Sequence, residues 1–173
     1  IAPKNENFNV KVVDHLSAEG LREKYASHSG VNIECIEDVD YVWSGEPLSR
    51  LIKDEKFDWI IASHVLEHVP NPIEFLQELS ELLKPGGVIS IALPDKRYCF
   101  DHFMSVSIVG EWIDAFVSKR IRPTPGQVVN HCFYAAQRNG KISWGVDEIG
   151  VLGLVHEPSL AKGQLEYALA SDH

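Results

Sequence analysis

Four places along the sequence gather side chains that can bind polar ligands or move protons. Asp14 ends the apolar run from Val10, Asp40 with Tyr41 follows a polar stretch, Ser63-His64 closes Trp59-Ile60-Ile61-Ala62, and Pro94-Asp95-Lys96-Arg97 follows Val88 to Leu93. A carboxylate at a strand end accepts hydrogen bonds from vicinal hydroxyls, an imidazole or carboxylate takes up a proton, and an ammonium or guanidinium orients an anionic or polar acceptor. His64, Asp95 and His102 are therefore the candidate proton-transfer groups, and Lys96 and Arg97 the candidate substrate-binding cations. Blander readings stand beside these. Asp14 serves equally as a helix-capping or surface carboxylate, and Asp95, Lys96, Arg97 and Asp101 can pair among themselves for about 0–1 kcal/mol each.

His64-Val65-Leu66-Glu67-His68 has the HxxEH spacing of certain zinc proteases, whose histidines share a helix with the glutamate. Here His64 closes a strand, so that chemistry is set aside and no metal is assigned. Glu67 and His68 read as hydrogen-bonded loop groups after the strand.

The elements that must position these residues alternate between strand and helix through the first half, the pattern of a parallel sheet with crossover helices. Val10 to Asp14 and Ile33 to Ile36 read as strands, Ser17 caps a helix through Tyr25, and Pro47 to Ile52 forms a short helix. Trp59 to Ala62 has the continuous apolar character of a strand buried on both faces. Asn71, Pro72 and Glu74 suit the cap and first turn of a helix over 71–84 whose apolar face carries Ile73, Leu76, Leu79 and Leu83. Lys84-Pro85-Gly86-Gly87 stops that helix and turns the chain into the strand Val88 to Leu93, completing a βαβ unit. Further on, one helix carries Ile108, Trp112 and Phe116, with Trp112 and Phe116 expected in the core, and another runs from Pro125 to Arg138. Short strands are expected at Ile142 to Trp144 and Gly150 to Val155.

With 173 residues, 45% of them hydrophobic, the chain can build one α/β domain with a real core but not two. A net charge of -9 opposes general binding to nucleic-acid backbones, so the expected partner is a small molecule. The basic tract Lys119-Arg120-Ile121-Arg122 reads as a solvated helix end. No apolar stretch reaches the length of a membrane span and no secretory signal is evident, so no membrane partner is expected and the default compartment is the cytoplasm. Cys35, Cys99 and Cys132 form no CxxC pair and read as free thiols.

The segment Phe57-Asp58-Trp59-Ile60-Ile61-Ala62-Ser63-His64-Val65-Leu66-Glu67-His68-Val69-Pro70, with the capped helix and Leu82-Leu83-Lys84-Pro85-Gly86-Gly87, resembles the region after the cofactor site in class I, Rossmann-like S-adenosylmethionine-dependent methyltransferases. Pro94-Asp95-Lys96-Arg97-Tyr98-Cys99-Phe100-Asp101 further resembles a subgroup of bacterial methyltransferase-domain proteins. The resemblance covers residues 1–135 and is strongest over 57–101. It implies S-adenosylmethionine as cofactor, with Asp14 on its ribose, Asp40 and Tyr41 near its adenine, and Ser63 and His64 along its methionine side. Leu93, Pro94 and Asp95 would face the acceptor, a small molecule such as a sugar or envelope precursor. Some methyltransferases of this family hold a divalent ion on an acidic-x-x-Glu-His cluster at the place of His64, Glu67 and His68; His64 replaces the first acid, a fourth ligand would have to come from a residue such as His102 or His131, and no metal is assigned.

The same resemblance implies an α/β fold, a mostly parallel sheet with flanking helices. Residues 1–101 would be the Rossmann-like core, and 102–173 a helical insertion or cap with an incomplete C-terminal part. The family's acidic, glycine-rich turn has no counterpart before Asp14, and Ile1-Ala2-Pro3-Lys4 resembles the segment just after it. The first strand, and the last ones, are therefore expected to be missing, leaving the neighbours of the first about 9.6 Å apart rather than about 4.8 Å. Another copy of the chain could fill such a gap, giving a homo-oligomer. The competing reading is a non-catalytic methyltransferase-like scaffold. A nicotinamide-dependent oxidoreductase is set aside because no catalytic Tyr-x-x-x-Lys is present.

Overall fold

Ser17 begins the first helix as its sequence suggests: the hydroxyl accepts from the Gly20 amide at 3.2 Å, and helix α1 spans Ala18–Tyr25. Arg22 and Lys24 lie in its last turn, where a cation is favoured by the helix dipole. In the computed structural model, residues 4–6, 8–28, 30–145, 150–155, 163 and 166 are described. Ile1-Ala2-Pro3 and the final residues lie outside them.

Two units divide the chain. The first comprises residues 1–61 and 77–89. Its strand β1, Val13–Asp14, pairs in parallel with β2, Tyr41–Val42, in the register Val13 to Tyr41 and Asp14 to Val42. The strand expected at Ile33 to Ile36 is instead a single 3-10 turn over Ile33–Cys35, because the Asn32 side chain accepts from the Glu34 amide at 3.1 Å and captures the backbone locally. Asp40, expected to follow the second strand, instead stands just before it. Its amide donates to the Val12 carbonyl at 2.9 Å while its carboxylate accepts from the Val12 amide at 2.8 Å. The short helix α2, Leu48–Leu51, follows. Ala18, Leu21, Leu48, Ile52, Leu79 and Leu82 are buried and form this unit's core.

Strand β3, Phe57–Ser63, helix α3, Pro72–Glu81, and strand β4, Leu83–Ala92, run through both units. The Phe57 amide donates to the Leu82 carbonyl and the His64 amide to that of Ala92, each at 2.9 Å, so partners advance together and the two strands are parallel. The intended cap of α3 is present: the Glu74 amide donates to Asn71 Oδ1 at 3.4 Å, and Asn71 Nδ2 to Glu74 Oε2 at 2.6 Å. The helix ends at Glu81, before the Pro-Gly-Gly segment, which lies inside β4. Gly86 there has φ 81°, and a Cβ on Gly87 would stand 3.0 Å from the Lys84 carbonyl oxygen and 3.1 Å from that of Phe57. The expectation that β3 is buried on both faces does not hold. Trp59 and Ile61 are exposed while Ala62 is buried, since a two-stranded pair offers too little cover for two faces.

The second unit comprises residues 62–76 and 90–173. It contains helix α4, Val109–Val117, and helix α5, Pro125–Tyr134. Thr124 and Gln127 close a reciprocal capping box on α5, at 3.2 and 2.8 Å. This helix stops short of Arg138. Ala136–Arg138 is strand β5, which turns through Asn139 and Gly140, both at positive φ, into strand β6, Lys141–Ile142. An Asn-Gly pair is a strong hairpin signal, and it outweighs the helical periodicity before it. Strand β7, Leu152–Leu154, pairs on the other side of β5, giving the antiparallel order β6-β5-β7. Ala62, Leu66, Phe75, Cys99, Ala115 and Ala136 are buried. Of the two aromatics expected in the core, Trp112 is half-buried and Phe116 is 39% exposed, because the small Ala115 takes the innermost place on α4. Among the described residues no helix is long and apolar enough to cross a membrane.

Candidate functional site

In the first unit, the parallel register sets Asp14 at the carboxyl end of β1 beside Val42, while Asp40 and Tyr41 lie at the start of β2 beside Val12 and Val13, so these candidates stand at opposite ends of the strand pair. Asp14 Oδ1 accepts from the His15 amide at 2.7 Å and stands 2.6 Å from His15 Nδ1. Lys24 Nζ lies 2.8 Å from His15 Nε2, so the arrangement that satisfies all three residues has His15 protonated on Nδ1 and accepting from lysine on Nε2. The bonds place the load on one Asp14 oxygen, and among the described residues Oδ2 has no partner. Asp40 is more heavily engaged. Its Oδ2 accepts from Lys4 Nζ at 2.5 Å and from the Val12 amide, and its Oδ1 lies 3.7 Å from Lys11 Nζ. Burial pushes the Asp40 carboxyl up, but the Lys4 hydrogen bond, the Val12 amide and the charges of Lys4 and Lys11 outweigh it and hold it below its ordinary range. The Tyr41 hydroxyl donates to Glu55 Oε1 at 2.5 Å, which raises its pKa, with burial and the Glu55 charge adding to the rise.

In the second unit, Ser63 and His64 end β3 beside the end of β4, tied by the His64 amide to the Ala92 carbonyl. His64 adopts φ 55°, an uncommon conformation for a residue with a Cβ. Its Nδ1 lies 3.4 Å from Glu67 Oε1, and the same oxygen is 3.8 Å from His68 Nε2. The His64 ring stands 5.8 Å from Trp144, which stacks on Phe100 at 5.8 Å and 27°. Phe100 in turn meets His131 edge to face at 5.6 Å. The sequence reading passed over Trp144 and Phe100 as site residues. Trp144 arrives by a bridge to Cys99 and by the Gly145 amide donating to the Tyr98 carbonyl at 2.7 Å, a long-range pairing with no local signal.

The charged cluster after β4 is largely bound to itself. Arg97 Nε lies 3.0 Å from both Asp95 oxygens and Nη2 lies 2.5 Å from Oδ2. That guanidinium, with the Arg97 amide, lowers the Asp95 pKa to about 2. Lys96 Nζ donates to the Met104 carbonyl, and His102 Nδ1 faces the Arg97 carbonyl at 3.2 Å. Beside this cluster lies a cavity of about 280 Å³ lined by Leu93 and Pro94, but not Asp95, together with Glu67, Asp101, Trp112 and Arg120. Cys99 is buried, and that burial raises its thiol pKa. Among the described residues no group of three or more His, Cys, Asp or Glu is arranged to hold a metal ion.

The profile of a methyltransferase domain matches residues 4–148, most of the chain. The chain belongs to the class I S-adenosylmethionine-dependent methyltransferase family. A trans-aconitate 2-methyltransferase from Rhizobium rhizogenes is 35% identical over 80 residues, covering 45% of this chain and 31% of that protein. A ubiquinone biosynthesis O-methyltransferase from Actinobacillus pleuropneumoniae is 29% identical over 125 residues, covering 68% and 51%. The mitochondrial ubiquinone biosynthesis O-methyltransferase of Dictyostelium discoideum is 37% identical over 68 residues, covering 39% and 21%. The chain thus spans at most about half the length of these methyltransferases. No solved structure matches it. Family membership accounts for the Rossmann-like α/β class and for the parallel β3-α3-β4 unit, and members of this methyltransferase type use S-adenosylmethionine as methyl donor.

Proposed function

We propose that the protein transfers a methyl group from S-adenosylmethionine to a small-molecule acceptor. The observation that carries this reading is the profile match over residues 4–148 together with a carboxylate, Asp14, at the end of a parallel strand with one oxygen unpartnered among the described residues. The donor set suits the cofactor: Asp14 accepts from the ribose, while Asp40 and Tyr41, whose carboxylate and hydroxyl are engaged inside the chain, contribute backbone and ring surface near the adenine. Ser63 and His64 serve the methionine end. When bound, the sulfonium supplies an already activated methyl group, so the protein's tasks are alignment and removal of the acceptor's proton.

Among His64, Asp95 and His102, this reading favours His64 as the proton acceptor. Asp95 held at about 2 is a weak base, and His102 is turned toward the Arg97 carbonyl. Lys96 and Arg97 are both engaged within the chain, Lys96 by the Met104 carbonyl and Arg97 by Asp95, and of the two Arg97 is the more exposed to an acceptor. The acidic balance of the chain favours a small acceptor over nucleic acid.

Isothermal titration of S-adenosylmethionine into the intact protein tests the reading. Saturable binding that Asp14→Ala weakens about ten- to hundredfold is expected, the loss of charge-assisted hydrogen bonds. Absence of binding in the intact, folded protein overturns it in favour of a scaffold.

A further inference from the structure

His64 is held in place by its backbone. Its amide is pinned to the Ala92 carbonyl and its backbone is held at φ 55°. Such a conformation on a non-glycine residue persists where the surroundings over-determine it. Two groups outside the backbone bear on its ring. Glu67 Oε1 stands 3.4 Å from Nδ1, one 3-10 turn further along, and the Trp144 ring lies 5.8 Å away, tilted by 49°. The Glu67 side chain is 20% exposed, against 48% for His64 and 72% for His68, so the carboxylate is the least hydrated member of the trio. A carboxylate so placed needs N–H donors, and among the described residues the imidazoles of His64 and His68 stand nearest Oε1 at 3.4 and 3.8 Å.

We propose that Glu67 is a positioning residue that fixes His64 as the Nδ1–H tautomer, with Trp144 limiting rotation of the ring, so that Nε2 carries the lone pair that accepts a proton. This rests on the methyltransferase reading for its purpose but not for its geometry. A carboxylate partner selects the tautomer by the bond it accepts, and it stabilises the imidazolium formed once the other nitrogen is protonated. In turnover the acceptor's proton passes to the Nε2 lone pair, His64 becomes cationic, Glu67 stays ionised, and the proton then returns to solvent. The 3.4 Å separation is long for a hydrogen bond, as catalytic contacts commonly are before substrate arrives.

Long-range proton–nitrogen NMR correlation on protein with 15N-labelled histidine, at about pH 8 where an ordinary histidine is neutral, reads the tautomer directly. The wild-type His64 ring is expected as Nδ1–H. Glu67→Ala shifts it toward the Nε2–H form that a partnerless histidine prefers, and Glu67→Gln, whose amide oxygen can accept the same bond, retains Nδ1–H. A wild-type ring already in the Nε2–H form overturns the proposal without any variant, and so does an unchanged tautomer in Glu67→Ala. No cofactor is needed for this measurement. Loss of S-adenosylmethionine binding with the tautomer intact would sink the methyltransferase reading and leave the positioning role standing.

Discussion

Arg97 grips Asp95 with two of its nitrogens, Nε at 3.0 Å from both carboxylate oxygens and Nη2 at 2.5 Å from Oδ2. This contact decides how the charged segment after β4 behaves. Asp95 sits well below the ordinary aspartate pKa, so any stability from the pair is complete above the unfolded pKa of about 3.9 and is lost as pH falls through about 2. Carbon-detected NMR titration is expected to give Asp95 a midpoint near about 2. In Arg97→Gln the midpoint should rise toward about 3.9, and an unmoved midpoint would mean that the guanidinium is not the cause.

Tyr41 and Glu55 give a second pH test of opposite sign. The Glu55 carboxylate accepts the Tyr41 hydroxyl proton and disfavours the phenolate, raising the Tyr41 pKa. A phenol with a raised folded-state pKa contributes stability that is present below its unfolded value and is lost as pH rises through the folded one. Ultraviolet titration of tyrosinate should show Glu55→Gln ionising Tyr41 at lower pH than wild type.

Gly87 is expected to tolerate no side chain. Two of the atoms its Cβ would meet, at 3.0 and 3.1 Å, are backbone carbonyl oxygens that cannot swing aside. Gly87→Ala should therefore cost about 1–3 kcal/mol in urea unfolding. Gly110→Ala makes a control, because a Cβ there meets nothing and α4 gains helix propensity of about 1 kcal/mol.

Leu82 is 3% exposed at the junction of α3 and β4, and its carbonyl accepts from Phe57. Leu82→Ala is expected to destabilise the fold by about 2–5 kcal/mol. Thr124→Ala, which removes the cap of α5, should cost about 1 kcal/mol. A reversal of that order in chemical denaturation would show that the first unit's core is less decisive than its packing suggests.

What the sequence determined alone was everything governed by short-range rules. Ser17, Asn71 and Thr124 cap helices because a side-chain oxygen reaches an amide two or three residues away, and apolar runs at Trp59 and Val88 become strands because β-rich stretches between turn residues have few alternatives. The same locality explains the legible Phe57-to-Gly87 signature. Two departures are local as well: the Asn32 side chain captures the Glu34 amide in place of a strand at Ile33 to Ile36, and the Asn139-Gly140 turn ends the helical run before Arg138. Tertiary structure decided the rest. Contacts between distant residues set the state of the site: Lys4 and the Val12 amide bound the Asp40 carboxylate, and Trp144 came to stand beside His64 from 80 positions further along the sequence. Those partnerships depend on where the backbone brings side chains together, and residue types and spacing carry no record of that until the chain has folded.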